Sequence, residues 1–195
     1  MQLVLLSGLS NAGKSSFADF LEQQGIGPHV PLDKYFLPVP ESTTFLNWVQ
    51  HPQSIDWILL QSHLERLAEG NDCYSPAFDG WGSGKRLCIG GSESHPKNRL
   101  MKSNDVCIIP GCLSFEYPGA FSVAMKIFVD TDVRTIANRL GMEIEENLEG
   151  FLIRSLTHHY PEVLEYRRFA DLSVSGDCSD SKRLEYLDLI RRKLT

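Results

Sequence analysis

A chain of 195 residues, 42% hydrophobic and 23% charged, has the size and composition of one α/β domain with a single core, not of a disordered or fibrous polymer. Its 25 acidic residues outnumber 19 basic ones, for a formal charge of −6. That excess argues against nucleic acid as a partner, because phosphate neutralisation supplies most of such affinity.

The chain opens on an apolar run, Gln2 to Leu6, ended by Ser7-Gly8 and expected to be a buried parallel strand. Leu3-Val4-Leu5-Leu6 is too short for a signal segment, and no stretch approaches a membrane span. A helix is expected from Lys14 to about Gln24, with Phe17, Phe20 and Leu21 on one face and Gly25 as its stop. Val30-Pro31-Leu32 reads as a second short strand ending at Asp33, and residues 34–52 as loop. Ser54 is a candidate N-cap for a helix carrying Trp57, Leu60, Leu64 and Leu67, closed by Gly70.

From Cys73 to Gly91 the glycines and aromatics predict an irregular hairpin. Val106–Ile109 and Lys126–Val129 predict two more buried strands, Asp132 onward a helix, Leu172–Val174 a fifth strand, and Asp180–Leu194 a closing amphipathic helix. Such alternation predicts a single domain over 1–195, three-layered α/β/α, around a mostly parallel five-stranded sheet. Gly8, Asp33, Gly111 and Asp130 all fall at expected strand ends, where ligands bind in sheets of this kind.

The cysteines, five in number and without a CxxC pair, fit reduced thiols and a cytoplasmic location better than zinc or disulfides. Arg167-Arg168 and Arg191-Arg192-Lys193 read as solvated helix surface. His158-His159 lack acidic or thiol partners at ligand spacing and read the same way.

Gly8-Leu9-Ser10-Asn11-Ala12-Gly13-Lys14-Ser15 matches G-x-x-x-x-G-K-[ST] in full, between an expected strand and an expected helix. Glycines there let the backbone wrap a phosphate with its N–H groups inward, and the helix presents its positive end to the same anion. Lys14 reaches the outer phosphates, and the Ser15 hydroxyl is a hard oxygen donor for Mg²⁺. The ATP-binding set expected from the motif is Gly8, Ser10, Asn11, Ala12, Gly13, Lys14, Ser15 and Ser16. No N-K-x-D motif for reading guanine is present.

Later motifs, in order, resemble those of the uridine kinase family, whose relatives include phosphoribulokinase, pantothenate kinase and nicotinamide riboside kinase. Leu32-Asp33-Lys34-Tyr35-Phe36 resembles L-D-x-F-Y, and His51-Pro52-Gln53-Ser54-Ile55-Asp56 matches H-P-x-x-x-D. Pro76-Ala77-Phe78-Asp79 resembles P-x-Y-D, and Lys126-Ile127-Phe128-Val129-Asp130-Thr131-Asp132 resembles K-[IL]-F-V-D-T-D. Arg167-Arg168-Phe169-Ala170-Asp171 resembles K-K-Y-A-D.

The resemblance implies an ATP- and Mg²⁺-dependent small-molecule kinase of P-loop fold. It implies an acceptor loop and hairpin at about 34–100 and a short helical lid at about 139–166. Asp33 would be the catalytic base and, with Ser15, a metal ligand; its plainer reading is a turn residue capping a strand. Lys14 and Arg139 would stabilise the transferring phosphoryl. Acceptor contacts would come from Phe36, His51, Asp56, Phe78 and Asp79. His51 serves equally as a loop residue, and Trp48, Phe78 and Trp81 either stack on an acceptor ring or pack beneath the loop.

The departures are specific. Pro110 stands where the family has a glutamate before Gly111, Gln50 where it has a ribose-binding aspartate, and Ile136 where it has a ribose-binding arginine. The hairpin segment Trp81-Gly82-Ser83-Gly84 has no histidine. The lid holds Glu143, Glu145, Glu146 and Glu149, with Arg154 as its further cation. These leave three readings open: a nucleoside-type kinase, a kinase for pantothenate, a ribosyl-pyridine or a sugar, and an ATP-binding regulatory module with little catalysis.

Overall fold

The computed structural model describes residues 1–43, 45–76, 99–139 and 161–195. Its centre is a four-stranded parallel sheet built from β1 (Gln2–Ser7), β4 (Val106–Pro110), β5 (Ser122–Asp130) and β6 (Leu172–Ser175). The order is β4-β1-β5-β6. Leu5 of β1 lies beside Ile109 of β4 on one side and Lys126 of β5 on the other, and Asp130 ends β5 beside Ser175. Leu3 to Ser7 and Cys107 to Ile109 are buried on both faces, as continuous apolar runs in a parallel sheet require.

The segment at 30–32 is not a full strand. Only His29 bridges to Ile108, with Val30 N–H donating to the Ile108 carbonyl at 2.8 Å. Pro31 has no N–H to extend the ladder, and the chain turns into a single 3-10 turn, Leu32–Tyr35, that carries Asp33. The expected five-stranded sheet is therefore four-stranded, with one isolated bridge at its edge.

Helix α1 (Lys14–Gln23) buries Phe17, Ala18 and Leu21. Residues 45–48 form a short helix, α2 (Phe45–Trp48), inside the stretch expected to be loop. Helix α3 (Trp57–Ala68) buries Leu60, His63, Leu64 and Leu67. Its N-cap is Asp56, whose carboxylate accepts from Leu59 N–H at 2.9 Å, not Ser54. The Ser54 hydroxyl is turned to the His51 carbonyl instead, at 2.6 Å.

The 3-10 turn carrying Asp33 is fixed against α3 through Tyr35, which is fully buried. Its hydroxyl hydrogen-bonds His63 Nδ1 at 2.8 Å, and its carbonyl accepts from Asp56 N–H at 2.8 Å.

A separate antiparallel pair, β2 (Cys73–Tyr74) with β3 (Leu100–Met101), forms the base of the expected hairpin. The span 77–98, with Phe78, Asp79, Trp81 and Cys88, lies outside the described residues. So does 140–160, which holds the lid glutamates, Arg154 and His158-His159. Beside β3, the Arg99 guanidinium bonds both Glu22 and His29, tying that end of the hairpin to α1. Burial is the main cause holding the His29 pKa low, aided by the neighbouring Arg99 charge.

Three helices complete the chain: α4 (Val133–Arg139), α5 (Pro161–Glu165) and α6 (Asp180–Leu194). Helix α6 lies along α1 in the same direction. Phe17 meets Tyr186 edge to face with centroids 6.3 Å apart, and one turn or two further on Arg191 donates to the Gln24 carbonyl at 3.0 Å. Among the described residues, no helix is long and apolar enough to cross a membrane.

Candidate active site

The loop between β1 and α1 closes tightly before the helix begins. Ala12 N–H donates to the Leu9 carbonyl at 3.1 Å, Asn11 takes a φ of 59°, and Gly13 caps the helix at φ 103°. An asparagine tolerates this left-handed conformation better than most residues. The first intrahelical bond runs from Phe17 N–H to the Gly13 carbonyl. The N–H groups of Lys14, Ser15 and Ser16 precede that bond and are left for a ligand at the positive helix end.

Five other segments meet at this loop. Ser10, Asn11, Gly13, Lys14, Ser15 and Ser16 form one wall of a cavity of about 410 Å³, and Asp33, Cys112, Arg139, Gly176 and Arg183 complete it. Of the expected ATP-binding set, Gly8 and Ala12 lie behind the wall: both are buried, and the Ala12 carbonyl accepts the Thr131 hydroxyl at 2.7 Å. Gly176, just after β6, must be glycine because any Cβ would overlap the Ala12 carbonyl oxygen.

Lys14 is 8% exposed, and its ammonium donates to the carbonyls of Gly8 at 3.0 Å and Leu9 at 2.7 Å. It also lies 3.3 Å from Cys112 Sγ. Ser7 Oγ donates to the Cys112 carbonyl at 2.6 Å, which pins the turn after β4 to the end of β1. Burial pushes the Cys112 thiol up, against the opposing Lys14 charge, so this sulfur faces the cavity as a neutral thiol.

Asp33 is half-buried, and Gly111 permits its position, since a Cβ there would come 2.5 Å from Leu32 Cβ. Desolvation raises the Asp33 pKa above the usual carboxylate value, with Lys14 and then Lys34 opposing it. The carboxylate thus shares one cavity with the cradle lysine and the Ser15 hydroxyl.

Arg139, the last residue of α4, donates to the Asn11 carbonyl at 2.8 Å and the Gly176 carbonyl at 3.0 Å. Neither acceptor is charged, so the guanidinium keeps its full charge above the loop.

The tripeptide Asp130-Thr131-Asp132 serves three separate ends. Asp130 pairs with Arg167 at 2.8 Å, and Thr131 holds the cradle loop. Asp132 accepts from Thr135 N–H at 2.9 Å and Thr135 Oγ at 2.6 Å at the start of α4, and these bonds hold its pKa low.

The described residues of the acceptor set lie elsewhere. Phe36 is packed in the core and bridges to Ile55, Asp56 caps α3, and His51 is exposed at the start of a 3-10 turn. None of them lines the cradle cavity. Ile136 is 1% exposed in the core, as a packing residue of α4. Pro110 is buried at the end of β4 beside Leu6.

Cys112, Gly176 and Arg183 are the site residues that motif reading does not single out, whereas Thr131 falls inside the K-[IL]-F-V-D-T-D resemblance. Gly176, two residues past the expected fifth strand, is the one available signal among these three. Arg183 looks from sequence like any cation on an amphipathic helix.

No family model matches the chain. It is 28% identical to a uridine kinase of Chloroflexus aurantiacus, covering 89% of this chain and 86% of that protein. It is also 28% identical, with the same coverage, to a uridine kinase of Chloroflexus aggregans. Among solved structures, a possible uridine kinase from Bacillus stearothermophilus is similar with a TM-score of 0.48 and 16% identity, over 88% of this chain and 87% of that one. The resemblance carried by the motifs therefore extends in sequence over nearly nine-tenths of the chain, and the proteins it is similar to are kinases of small molecules. The architecture is α/β of the P-loop type, a parallel sheet with the cradle between β1 and α1.

Proposed function

We propose that this chain is an ATP-dependent phosphotransferase that moves the γ-phosphoryl group of ATP onto a hydroxyl of a nucleoside-like or related small metabolite. The observation that carries this reading is the meeting of Lys14, Ser15 and Asp33 in one cavity at the N-terminus of α1. A phosphate-binding loop alone serves hydrolysis, signalling or transfer equally. A desolvated carboxylate on the opposite wall adds a base for an attacking hydroxyl.

Ser15 Oγ and the Asp33 carboxylate are hard oxygen donors in the same cavity, the donor chemistry that Mg²⁺ selects. These two residues would hold such an ion beside ATP, where it would supply positive charge to the outer phosphate oxygens. The loop N–H groups and Lys14 hold the phosphates. Asp33, when ionised, accepts the proton of the attacking hydroxyl, and its raised pKa makes it a better acceptor than an exposed carboxylate. Arg139 places positive charge over the loop, where the phosphoryl transfers.

A second reading, an ATP-binding module with little catalysis, rests on Pro110, which occupies the β4 end where the family resemblance places a glutamate. Acceptor-dependent ADP formation separates the two. With ATP and Mg²⁺, a panel of nucleosides, ribosyl-pyridines, pantothenate and sugars is expected to contain one class that raises ADP release well above background. ATP-induced stabilisation with no acceptor effect across the panel would favour the binding module.

A further inference from the structure

We infer that Arg183, on the first turn of α6, is a nucleotide-binding residue that reaches the phosphates common to ATP and ADP from outside the cradle loop. This rests on the nucleotide reading of the cradle. Arg183 lines the same cavity as Lys14, Ser15 and Ser16, and its side chain is 23% exposed. Its Nε is buried without a hydrogen-bond partner among the described residues. Among the described residues its ion-pair partner is Asp180, 3.8 Å away on a side chain that is 96% exposed, too solvated to neutralise it. A half-satisfied guanidinium in a buried wall is costly unless an anion completes it.

The pairing of the two helices says where that anion lies. Tyr186 packs on Phe17, and α6 and α1 run in the same direction. Arg183 is three residues before Tyr186, as Lys14 is three before Phe17. The guanidinium is thus level with the first turn of α1, whose N–H groups cradle the inner phosphates, while a P-loop lysine reaches the outer ones. Arginine meets phosphate oxygens with paired N–H donors. Arg183 therefore adds to Lys14 and Arg139 a third cation, supplied from an element outside both loop and lid.

The test is calorimetric titration of Mg-ATP and Mg-ADP into the parent, R183M, R183K and K14A, with melting temperatures taken without nucleotide. R183M is expected to weaken ATP and ADP alike by about ten- to a hundredfold, the usual range for a charge-assisted hydrogen bond. R183K should fall between R183M and the parent. Without nucleotide, R183M should melt at or above the parent temperature, because methionine keeps the packing and removes the unpaired N–H. Unchanged affinity in R183M would overturn the proposal. So would a lower melting temperature without nucleotide, which marks a structural role, or a loss confined to ATP, which moves the contact to the outer phosphate. If the parent and K14A both bind neither nucleotide, the cradle reading itself has failed, independently of Arg183.

Discussion

The Thr131 hydroxyl donates to the Ala12 carbonyl at 2.7 Å across 119 residues of sequence, and the bond is buried. It ties the end of β5 to the back of the loop between β1 and α1, and neither residue lines the cavity. Gly176 closes against the same carbonyl oxygen from the end of β6. The loop's shape is therefore set by the strand ends as much as by its own glycines.

Thr131→Val keeps the shape of the side chain but strips the donor from a buried acceptor. A buried carbonyl left unpaired costs about 1–3 kcal/mol. In a chain of this size that lowers the melting temperature by roughly 2–4 °C per kcal/mol. ATP affinity should fall with it, and Thr131→Ser should recover most of both. A valine variant that melts and binds like the parent would show that the bond does not hold the loop.

Lys14→Ala should remove most of the thermal stabilisation that ATP with Mg²⁺ confers. A ligand at a hundred times its Kd stabilises the native state by about 2.7 kcal/mol, and a lysine buried against the Gly8 and Leu9 carbonyls is the main cation facing it. Equal ATP-induced shifts in parent and variant would remove the cradle from its assigned role.

What was legible in the sequence was local. The eight-residue motif specifies its own turn, and α1 and α6 follow from helical periodicity, with Gly25 as the stop of α1. At 30–32 the sequence predicts a strand where the chain turns, because three apolar residues look the same in a strand and in a buried turn, and Pro31 tips the balance by withholding an N–H. Ser54 and Asp56 are equally good caps on paper. The choice is made by the His51 carbonyl, which takes the Ser54 hydroxyl. Ile136 stands where the family resemblance places a ribose-binding arginine, and its burial in the core is a tertiary fact that the motif does not encode. Arg183 was invisible because its meaning depends on which face of α6 meets α1, a tertiary fact that no local pattern encodes.

Uridine and cytidine should be poor acceptors. Gln50 and Ile136 lack the carboxylate and guanidinium that the family resemblance places there for a ribose diol. Sites built to hydrogen-bond a hydroxyl discriminate by about 10⁴–10⁵-fold, a margin that is lost without the partners. Ile136→Arg should not restore uridine turnover. At 1% exposure, the new charge would be buried without a partner and would lower stability by several kcal/mol. Steady-state kinetics decides this: uridine turned over at ordinary enzyme rates with a low KM would refute the prediction.

Asp33→Asn separates chemistry from binding, and its two effects should run in opposite directions. Burial raises the folded-state pKa above the ordinary 3.8, outweighing the opposing pull of Lys14 and Lys34. The folded state thus holds this proton more tightly than the unfolded chain does. The stabilisation is complete below pH 3.8 and is lost as pH rises through the folded value, so at neutral pH the ionised carboxylate destabilises the fold. Asparagine removes that charge. The variant should therefore be at least as stable as the parent at pH 7, with the advantage vanishing in acid, and its ATP-induced stabilisation should survive because the loop amides and Lys14 are untouched. Acceptor phosphorylation should fall by about 10²–10⁴-fold, the usual contribution of a general base. Full turnover in Asp33→Asn would assign the base to another carboxylate, with Asp56 the next to replace. Lost ATP binding would instead show that Asp33 holds the Mg²⁺ that accompanies the nucleotide more than it serves as the base.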